Sequence, residues 1–347
     1  MQEKTKEKIK ILISDTHFGI RQNSRTWLES QTAYFENDLF PFIKSLPMDT
    51  TLDVCLLGDV FDSRSSIDTR TAQKVVKLLK ALYINIIDKN PNNKLIILAG
   101  NHDYYSPDEH HAIINNINHH ISPHIPNATY VTTEPLLIDD DLYIPWFWMN
   151  EDTERLKKLL VNTTAKRIFT HTDLSHLSGD IYLALKRFDG VYSGHIHTPF
   201  QNGNLFCIGS CFQITMTDAN KYRGYWILRN GKLTIKPNNH SIRLWRWTND
   251  DIFKQEIDDN LHIYSKRCDI AEIYVNKDKL SDFDYINRIK LISKHFKYPP
   301  QVIPISDILI SENDISELEN YNIDTICEEQ IPERLLNKFY IIKSENK

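Results

Sequence analysis

The chain has few cysteines, no long apolar run and no excess of positive charge. Its five cysteines among 347 residues are scattered and form no CxxC pair, which argues against a disulfide scaffold and against a thiolate zinc site. The charged N-terminal segment lacks the apolar core of a secretory signal, and no apolar run is long enough to cross a bilayer. We therefore expect a soluble protein of the cytoplasm, or of the host cytoplasm if the source is a virus.

Two further absences narrow the class of function. The net charge of -5 gives no global attraction to nucleic acid, so any DNA contact must come from local basic patches. The sequence contains no P-loop, and Ser210 stands outside the turn that presents the nucleophile of serine hydrolases. An NTPase and a serine hydrolase are therefore excluded.

Five short apolar runs end in residues with metal-ligating side chains. Runs rich in Ile, Val and Leu that alternate with helical segments predict buried strands of βαβ units, in which ligands gather at the carboxyl ends of the strands. The predicted strands are Ile9–Ile13 before Asp15, Leu52–Leu57 before Asp59, Leu95–Ala99 before Asn101, Arg167–Thr170 before His171 and Gly190–Ser193 before His195. Apolar periodicity predicts helices over Thr71–Ile87 and Glu151–Val161.

The pattern changes after Gly194, where two Asn-Gly turns sit between short apolar segments. Such turns predict hairpins around Asn202 and Asn230. We interpret them as a second, antiparallel sheet that closes the main domain near residue 250. The predicted organisation is therefore a main domain over residues 1–255, a small α/β cap over 256–310 and a charged C-terminal segment over 311–347.

The side chains at the strand ends are those of a site with two divalent metals. Asp59 has two oxygens and can bridge two cations, while Asn101 offers a neutral carbonyl oxygen. Asp15 adds a second carboxylate, and the imidazoles come from His17, His171, His195 and His197. Mixed nitrogen and oxygen ligation suits Mn²⁺, Fe²⁺ or Zn²⁺, and two metals about 3.5–4 Å apart activate water and stabilise phosphoryl oxygens. The sequence thus points to metal-assisted hydrolysis of a phosphate ester.

These motifs, taken in order, resemble those of the calcineurin-like metallophosphoesterases, and within them the SbcD-type recombination and repair nucleases, including shorter bacteriophage forms. The motifs are Asp15-x-His17, Gly58-Asp59-x-x-Asp62, Gly100-Asn101-His102-Asp103, a lone His171 and Gly194-His195-x-His197, with Ile208-Gly209-Ser210 and Arg223-Gly224-Tyr225-Trp226 in support. The resemblance covers residues 9 to about 247. It implies an α/β fold, a two-sheet sandwich flanked by helices, with a small C-terminal α/β cap.

The resemblance also implies a role for each site residue. One metal would be held by Asp15, His17, Asp59 and His197, and the other by Asp59, Asn101, His171 and His195. Mn²⁺ is the expected ion, with Mg²⁺, Fe²⁺ and Zn²⁺ as alternatives. His102 matches the catalytic histidine, while Asp62 stands where archaeal and eukaryotic relatives carry a second one and bacterial and phage members share the aspartate. Asp62 is grouped with His102 as a candidate catalytic residue, and both Asp62 and Asp103 are expected to orient imidazoles or to accept backbone amides.

The implied activity is that of a DNA exonuclease or endonuclease subunit acting with an SbcC-type ATPase in recombination, repair or replication. Arg21, Arg25 and Arg64 are the candidate DNA contacts because they flank the metal motifs. The segment Arg243–Trp247 mixes cations and aromatics as strand-binding surfaces do, although an ordinary exposed strand has the same pattern and is the preferred interpretation. The remaining histidines are expected to bind no metal: His110, His111, His119, His120, His124, His176 and His240.

The sequence also gives expectations about binding partners, and it leaves two alternative functions open. A homodimer is expected through Arg25–Ser45, whose apolar side chains either form a dimer surface or cover the sheet: Trp27, Leu28, Tyr34, Phe35, Leu39 and Phe42. The C-terminal part is expected to dock the ATPase. One alternative function is hydrolysis of a nucleotide, a phosphoprotein or a lipid precursor. The other is an architectural subunit without catalysis.

Overall fold

The computed structural model describes residues 8–105, 115–150, 153–175, 177 and 179–305, in two compact units. The first unit extends to Trp245 and includes Ile263–Ile270, and the second comprises Arg246–His262 and the described residues from Ala271 onward. Within the described residues, no helix combines the length and apolar character needed to cross a bilayer. The domain boundaries expected from the sequence stay a prediction.

The apolar runs form strands of two mixed six-stranded sheets in the first unit. The strands of this unit are β1 (Lys8–Ile13), β2 (Thr51–Leu57), β3 (Lys94–Leu98), β4 (Thr129–Val131), β5 (Leu136–Ile138), β6 (Asp141–Ile144), β7 (Arg167–His171), β8 (Gly190–Gly194), β9 (Phe200–Asn202), β10 (Leu205–Cys207), β11 (Gly224–Arg229) and β12 (Lys232–Pro237). The first sheet has the order β12-β11-β1-β2-β3-β4 and the second the order β5-β6-β7-β8-β10-β9.

Helices cover the outer faces of both sheets. The segments are α1 (Ile20–Asn23), α2 (Arg25–Tyr34), α3 (Phe40–Ser45), α4 (Thr69–Ile87), α5 (Trp146–Asn150), α6 (Thr153–Asn162) and α7 (Gly179–Leu185). In α4 the Asp68 side chain caps the first turn by accepting the Thr71 amide, and apolar residues such as Val75 and Leu79 are fully buried. The single turn α1 has left-handed dihedral angles at Arg21 and Gln22, so it is not an α-helix.

The inner faces of the two sheets pack against each other through apolar and aromatic side chains. Leu12, Leu57 and Leu98 of the first sheet belong to one buried cluster with aromatic residues of the second. Those rings stack across neighbouring strands in the order Tyr143, Phe169, Tyr192 and Phe206, with centroids 4.9–5.2 Å apart. This layered core is what the α/β sandwich requires, and the expected fold class is confirmed.

The parallel register delivers the candidate ligands to one edge of each sheet. β1 pairs with β2 and β2 with β3 in parallel, so the residues that follow these strands emerge together. In the second sheet His171 at the end of β7 is opposite Gly194 at the end of β8. Both predicted helices are present as α4 and α6, each within two residues of the expected bounds.

The prediction of a separate antiparallel sheet after Gly194 is wrong. The hairpin β11–β12 adds to β1 in the first sheet, antiparallel to it, and β10 adds to β8 in the second sheet, parallel to it. Both Asn-Gly turns are present where the sequence predicts them. Each hairpin satisfies the hydrogen-bonding edge that β1 or β8 would otherwise expose, which explains why the hairpins join existing sheets.

The apolar side chains expected at a dimer surface lie inside the protomer instead. Trp27, Leu28, Tyr34, Phe35 and Leu39 are all buried in the core that covers the first sheet, and Phe42 is partly buried against it. The alternative interpretation, that these residues cover the sheet, is therefore correct. A homodimer stays a prediction, but this set of side chains does not supply its surface.

The second unit contains a strand–helix–strand segment that ends with α9 (Phe283–Ser293) and β15 (Gln301–Ile305). Three elements are divided between the two units: β13 (Leu244–Trp247), α8 (Gln255–Arg267) and β14 (Ile270–Asn276). The three-stranded sheet has the order β13-β14-β15. β14 and β15 pair in parallel, as a helical crossover between them requires. The C-terminal segment 311–347 lies outside the described residues.

Candidate active site

The loops that carry the ligands are tied together by backbone hydrogen bonds between strand ends. The amide of Asp15 donates to the carbonyl of Gly58 over 3.1 Å, and the amide of His17 donates to the carbonyl of Asp59 over 3.0 Å. The amide of His195 donates to the Asp15 carboxylate over 3.1 Å, which joins the first motif to the last. The two sheets therefore meet at this site.

Four of the candidate ligands have left-handed backbone conformations. The φ angles are 50° at Asp15, 44° at His17, 51° at Asp59 and 79° at His195. Residues with a Cβ rarely adopt such angles, because they cost of order 1–3 kcal/mol each. Strain of this kind persists where surrounding contacts hold it, and it is concentrated at functional sites.

Two glycines allow the strand ends to approach closely. A Cβ at Gly58, which also has φ of 88°, would lie 2.2 Å from Nδ1 of His171. A Cβ at Gly194 would lie 1.9 Å from the hydroxyl of Ser14. The glycine before Asp59 and the glycine before His195 are therefore required for the two sheets to bring their side chains together.

Asp15, His17 and His197 form the first cluster of potential ligands, with one atom of each lying within 4.8 Å of the others. The Nε2 atoms of His17 and His197 are 3.1 Å apart, and each lies 3.9 Å from Oδ1 of Asp15. Asp15 and His17 are buried. The three side chains thus point their donor atoms at one small volume.

Asp59, Asn101, His171 and His195 form the second cluster. Oδ1 of Asn101 lies 3.2 Å from Nε2 of His171 and 2.9 Å from Nδ1 of His195. Nδ1 of His171 donates to the carbonyl of Leu57 over 2.8 Å, which leaves Nε2 with its lone pair facing the cluster when the ring is neutral. Asp59 also lies 3.7 Å from His17, so it contacts both clusters.

These donor sets fit divalent cations. Carboxylate, amide and imidazole acceptors converge on each other, and converging lone pairs repel unless a cation or a proton lies among them. The set lacks thiolates and contains both nitrogen and oxygen donors, which suits metals of the Mn²⁺, Fe²⁺ and Zn²⁺ type. All seven residues predicted as ligands from the sequence are brought together here.

The charges of the second cluster are strongly coupled. Burial tends to raise the pKa of Asp59, but the adjacent cationic His171 outweighs that effect and the pKa is lowered. Burial tends to lower the pKa of His171, but the Asp59 carboxylate raises it to about 9. Burial lowers the pKa of His195 and of His197. The site therefore favours the ionised form of Asp59 and the protonated form of His171. It favours the neutral form of His195 and of His197.

His102 and Asp62 lie beside the clusters. Nδ1 of His102 donates to the main-chain carbonyl of Asp62 over 2.5 Å, and the His102 amide donates to the Asp59 carboxylate over 2.9 Å. The His102 ring packs edge-on against His17, and both belong with Asp59 to a third group with metal-ligand spacing. The Asp62 carboxylate lies 3.3 Å from Nδ1 of His17, so it contacts a candidate ligand directly.

Three further residues position the loops of the site. Asp103 accepts the amides of Gly100 and Val60, in agreement with its expected role. The Ser210 hydroxyl donates to the carbonyl of Asp15 over 2.8 Å, and the Gln31 amide donates to the carbonyl of Thr16 over 2.5 Å. Sequence reasoning missed these last two contacts. The Ile208-Gly209-Ser210 motif could have indicated the contact of Ser210, whereas nothing in the sequence around Gln31 indicated its contact.

The candidate DNA contacts lie on the surface near the first two motifs. Arg21 is exposed, with its guanidinium 5.7 Å from the ring centroid of Trp27. Arg25 is exposed and forms an ion pair of 2.7 Å with Glu29, while Arg64 is partly buried. The structure therefore keeps Arg21 and Arg25 accessible but does not test their role.

The expectation that the remaining histidines bind no metal stays a prediction. No potential metal cluster within the described part of the chain includes His119, His120, His124 or His240. His110, His111 and His176 lie outside the described residues.

Comparison with known proteins identifies the class. The model of the calcineurin-like phosphoesterase family matches residues 11–199, more than half of the chain and a span that contains every candidate ligand. The chain belongs to this family, and with its clustered histidines and aspartates it is a metal-dependent phosphoesterase. It is also similar to exonuclease subunit 1 of Enterobacteria phage T4, with 24% identity over 344 residues that cover 93% of this chain and 92% of that protein.

Proposed function

We propose that this protein is the nuclease subunit of a DNA-processing complex, a two-metal phosphodiesterase that acts with an SbcC-type ATPase in recombination, repair or replication. The observation that carries the proposal is the pair of ligand clusters that share Asp59. Its direction toward DNA is supported by the similarity to a phage exonuclease subunit along nearly the whole chain.

The donor atoms suggest how two cations would be held. Asp15, His17 and His197 with Asp59 would hold one, and Asn101, His171 and His195 with Asp59 would hold the other. We propose Mn²⁺ as the ion. Two such ions, when bound, lower the pKa of a coordinated water and neutralise negative charge on the phosphoryl oxygens.

His102 is proposed as the general acid. Its Nδ1 hydrogen is committed to the carbonyl of Asp62, so Nε2 is the atom available to a substrate. From that nitrogen His102 would give a proton to the leaving oxygen or stabilise its charge. Asp62 is proposed to position His17 through the 3.3 Å contact with Nδ1 and to fix the ring of His102 through its carbonyl.

The proposed partners follow from what the chain does and does not contain. The sequence has no P-loop, so ATP hydrolysis would come from a separate subunit. A net charge of -5 gives the chain little long-range attraction to DNA, and Arg21, Arg25 and Arg64 are proposed as local phosphate contacts. We propose that the C-terminal part docks the ATPase.

A phosphoesterase acting on another substrate is the second candidate. The ligand clusters indicate hydrolysis of a phosphate ester but do not indicate which group is attached to the phosphate. Nucleotides, phosphoproteins and lipid precursors are therefore substrates to be tested. The third candidate, an architectural subunit without catalysis, is opposed by the complete ligand set.

Hydrolysis assays separate these candidates. Purified protein with Mn²⁺ is incubated with double-stranded DNA, single-stranded DNA, a generic aryl phosphodiester, a nucleotide and a phosphoserine peptide. We expect cleavage of DNA and of the aryl diester, abolished in His195→Ala and retained in the control His124→Ala, which alters an exposed histidine outside the clusters. Hydrolysis of the nucleotide or peptide without DNA cleavage would contradict the nuclease assignment, and no hydrolysis at all would favour the architectural role.

A further inference from the structure

Ser193 joins the two chain segments that carry the histidines of the second cluster. It lies near the end of β8, two residues before His195, and it is fully buried. Its hydroxyl donates to the main-chain carbonyl of Thr172 over 2.7 Å and accepts the Thr172 amide over 2.8 Å. Thr172 directly follows His171, which ends β7. One serine side chain therefore forms two hydrogen bonds beside both histidines.

These bonds stand where the two strands stop pairing through their main chains. In the parallel ladder His171 is opposite Gly194, and this is the last pair. The next residue, His195, has a φ angle of 79°, which is outside the extended region of a strand, and its amide donates to the Asp15 carboxylate over 3.1 Å. That amide is no longer available to the neighbouring strand, so the buried main-chain groups of Thr172 need another partner. The serine hydroxyl supplies it.

Both histidines turn from their own sheet toward the first one. Nδ1 of His171 donates to the carbonyl of Leu57, the last residue of β2, and the amide of His195 donates to a carboxylate in the loop after β1. Each of these bonds fixes one histidine to the first sheet. The two hydrogen bonds between Ser193 and Thr172 instead connect the two histidine segments to each other.

The spacing of the two imidazoles determines how well the second cluster can hold a cation. Oδ1 of Asn101 lies 3.2 Å from Nε2 of His171 and 2.9 Å from Nδ1 of His195, so both nitrogens are directed at one oxygen. A metal site requires ligand distances within about 0.2 Å of their ideal values. A change in the separation of the ends of β7 and β8 would therefore weaken the binding of a cation.

The first cluster is anchored by other contacts. The amides of Asp15 and His17 donate to carbonyls in the loop after β2. The carbonyl of Asp15 accepts the Ser210 hydroxyl over 2.8 Å, and the carbonyl of His197 accepts the Ser210 amide over 3.0 Å. Ser210 thus connects two ligands of the first cluster, as Ser193 connects two ligands of the second.

We propose that Ser193 is a positioning residue for the second cluster, whose hydroxyl sets the distance between His171 and His195 and thereby the affinity of that cluster for a divalent cation. The proposal rests on the proposed function, because it takes two cations at this site. The hydroxyl is bonded to the main chain of Thr172, so it acts through the two histidines and does not bind the cation itself.

Stepwise binding of Mn²⁺ to metal-free protein, measured by isothermal titration calorimetry, tests the proposal. In Ser193→Ala we expect one ion to keep its wild-type Kd and the Kd of the other to rise about 10- to 100-fold, the usual effect of losing a group that orients a ligand. Ser193→Thr, which keeps a hydroxyl on the same carbon, is expected to recover most of that affinity. The matched control Ser293→Ala removes a hydroxyl bonded to a main-chain carbonyl in α9 and should change neither Kd.

Electron paramagnetic resonance gives a readout that a loss of stability does not produce. Two Mn²⁺ ions about 3.5–4 Å apart are magnetically coupled, whereas a single bound ion is not. At a Mn²⁺ concentration that just saturates the wild type, the wild type should show a coupled pair and Ser193→Ala an isolated ion. Thermal unfolding without metal reports whether each variant is folded. If Ser193→Ala is unfolded, Ser193→Cys replaces it, because a thiol is a weaker donor on a side chain of similar shape.

The His195→Ala background assigns the effect to one cluster. This variant is expected to bind one ion, in the first cluster, because the second cluster has lost a ligand. Adding Ser193→Ala should leave the Kd of that ion unchanged, whereas adding Ser210→Ala should raise it. A weaker ion after adding Ser193→Ala would show that Ser193 supports the whole site, and it would overturn the proposal. Loss of both ions in His195→Ala would also overturn it, since the two clusters would then not bind independently.

The failure of this proposal and that of the proposed function are distinguishable. Equal changes in both Kd values in Ser193→Ala, or no change in either, would overturn the role of Ser193 while the wild type still binds two ions. Binding of a single ion by the wild type would contradict the two-metal site itself. Hydrolysis of DNA and of the aryl phosphodiester by the wild type tests the nuclease assignment and does not depend on the result for Ser193.

Discussion

Nε2 of His171 lies 3.3 Å from Oδ2 of Asp59, across the junction of the two sheets. Nδ1 of the same imidazole is already committed to the carbonyl of Leu57, so a neutral ring turns a lone pair toward the carboxylate. Two acceptors at this distance require a cation or a proton between them. Asp59 also faces His17, and it is therefore the residue through which both clusters are coupled.

His102 is expected to act in catalysis and not as a metal ligand. His102→Ala should keep the bound metal while lowering kcat for the aryl phosphodiester by about 10²–10⁴-fold, the usual effect of losing a general acid. Enzyme kinetics and metal analysis of the same preparation check both halves of the expectation.

The control for this variant is His124→Ala, an exposed histidine outside the clusters, which should change neither quantity. Because His102 also forms a group with His17 and Asp59, loss of metal in His102→Ala would show that it is a ligand, and the assigned role would be wrong.

Asp62 is expected to act through His17. Asp62→Ala removes the carboxylate 3.3 Å from Nδ1 of that histidine, and losing such a partner typically costs 10- to 100-fold in metal affinity or activity. Asp62→Asn, which keeps an oxygen at the same place, should recover part of the loss. Metal titration followed by activity distinguishes the two variants, and equal behaviour of Ala and Asn would refute positioning by the side chain.

The apolar strand ends and their order could be predicted from the sequence because the relevant physics is local. Ile, Val and Leu runs that stop before Asp15, Asp59 or Asn101 indicate a buried strand followed by a polar ligand, and the structure has both. The α4 helix could also be predicted, because its apolar residues repeat at helical spacing.

What the sequence left undetermined depends on long-range partners. An Asn-Gly turn predicts a hairpin but not the sheet edge to which the hairpin pairs. The pairing of β11 with β1 is a long-range contact that only the structure shows. The left-handed backbone at Asp15 and Asp59 could not be predicted either, because only a few per cent of non-glycine residues adopt it and surrounding contacts decide which ones do. The burial of Tyr34 and Phe35, which helical spacing leaves open, depends on which face meets the sheet.

Lys10 joins the two sheets through a buried ion cluster. It is 2% exposed, and its ammonium lies 2.6 Å from the carboxylates of both Asp53 in β2 and Asp141 in β6. Lys10→Met would leave Asp53 paired with Lys8 alone and Asp141 with Arg167 alone. It is expected to lower the free energy of unfolding by at most about 3–5 kcal/mol, the cost of a buried charge that has lost its only partner. Lys8→Met, which alters a more exposed lysine beside Asp53, should cost about 1 kcal/mol or less. Urea unfolding at neutral pH measures both.

The same cluster predicts a dependence on alkaline pH. Burial tends to lower the pKa of Lys10, but its anionic neighbours outweigh that effect and raise it above the unfolded value of about 10.4. The stabilisation is then fully present below about pH 10.4 and is lost as the pH rises through the folded value. The difference in unfolding free energy between wild type and Lys10→Met should therefore be constant from about pH 7 to about 10 and shrink above it. A difference that grows with pH would contradict this account.

Stimulation by the ATPase is expected to need the C-terminal residues. A cut near residue 255 is unsuitable, because Asp269 accepts hydrogen bonds from Arg243 and Trp245 within the first unit. Removal of residues from 306 onward should instead leave hydrolysis of the aryl phosphodiester unchanged and abolish stimulation of DNA cleavage by the cognate SbcC-type ATPase. Full stimulation of the shortened chain would refute docking by this segment.

The sharing of Asp59 by two metals is the central claim, and metal stoichiometry tests it most directly. Wild-type protein, Asp59→Ala and the control Asp139→Ala, which removes an exposed carboxylate paired with Lys8, are loaded with Mn²⁺, desalted and analysed by mass spectrometry for bound metal. We predict two ions per chain in the wild type and the control, and loss of both in Asp59→Ala, because each ion loses a ligand and the two cations repel without the shared carboxylate. Two tightly bound ions in Asp59→Ala would contradict the account.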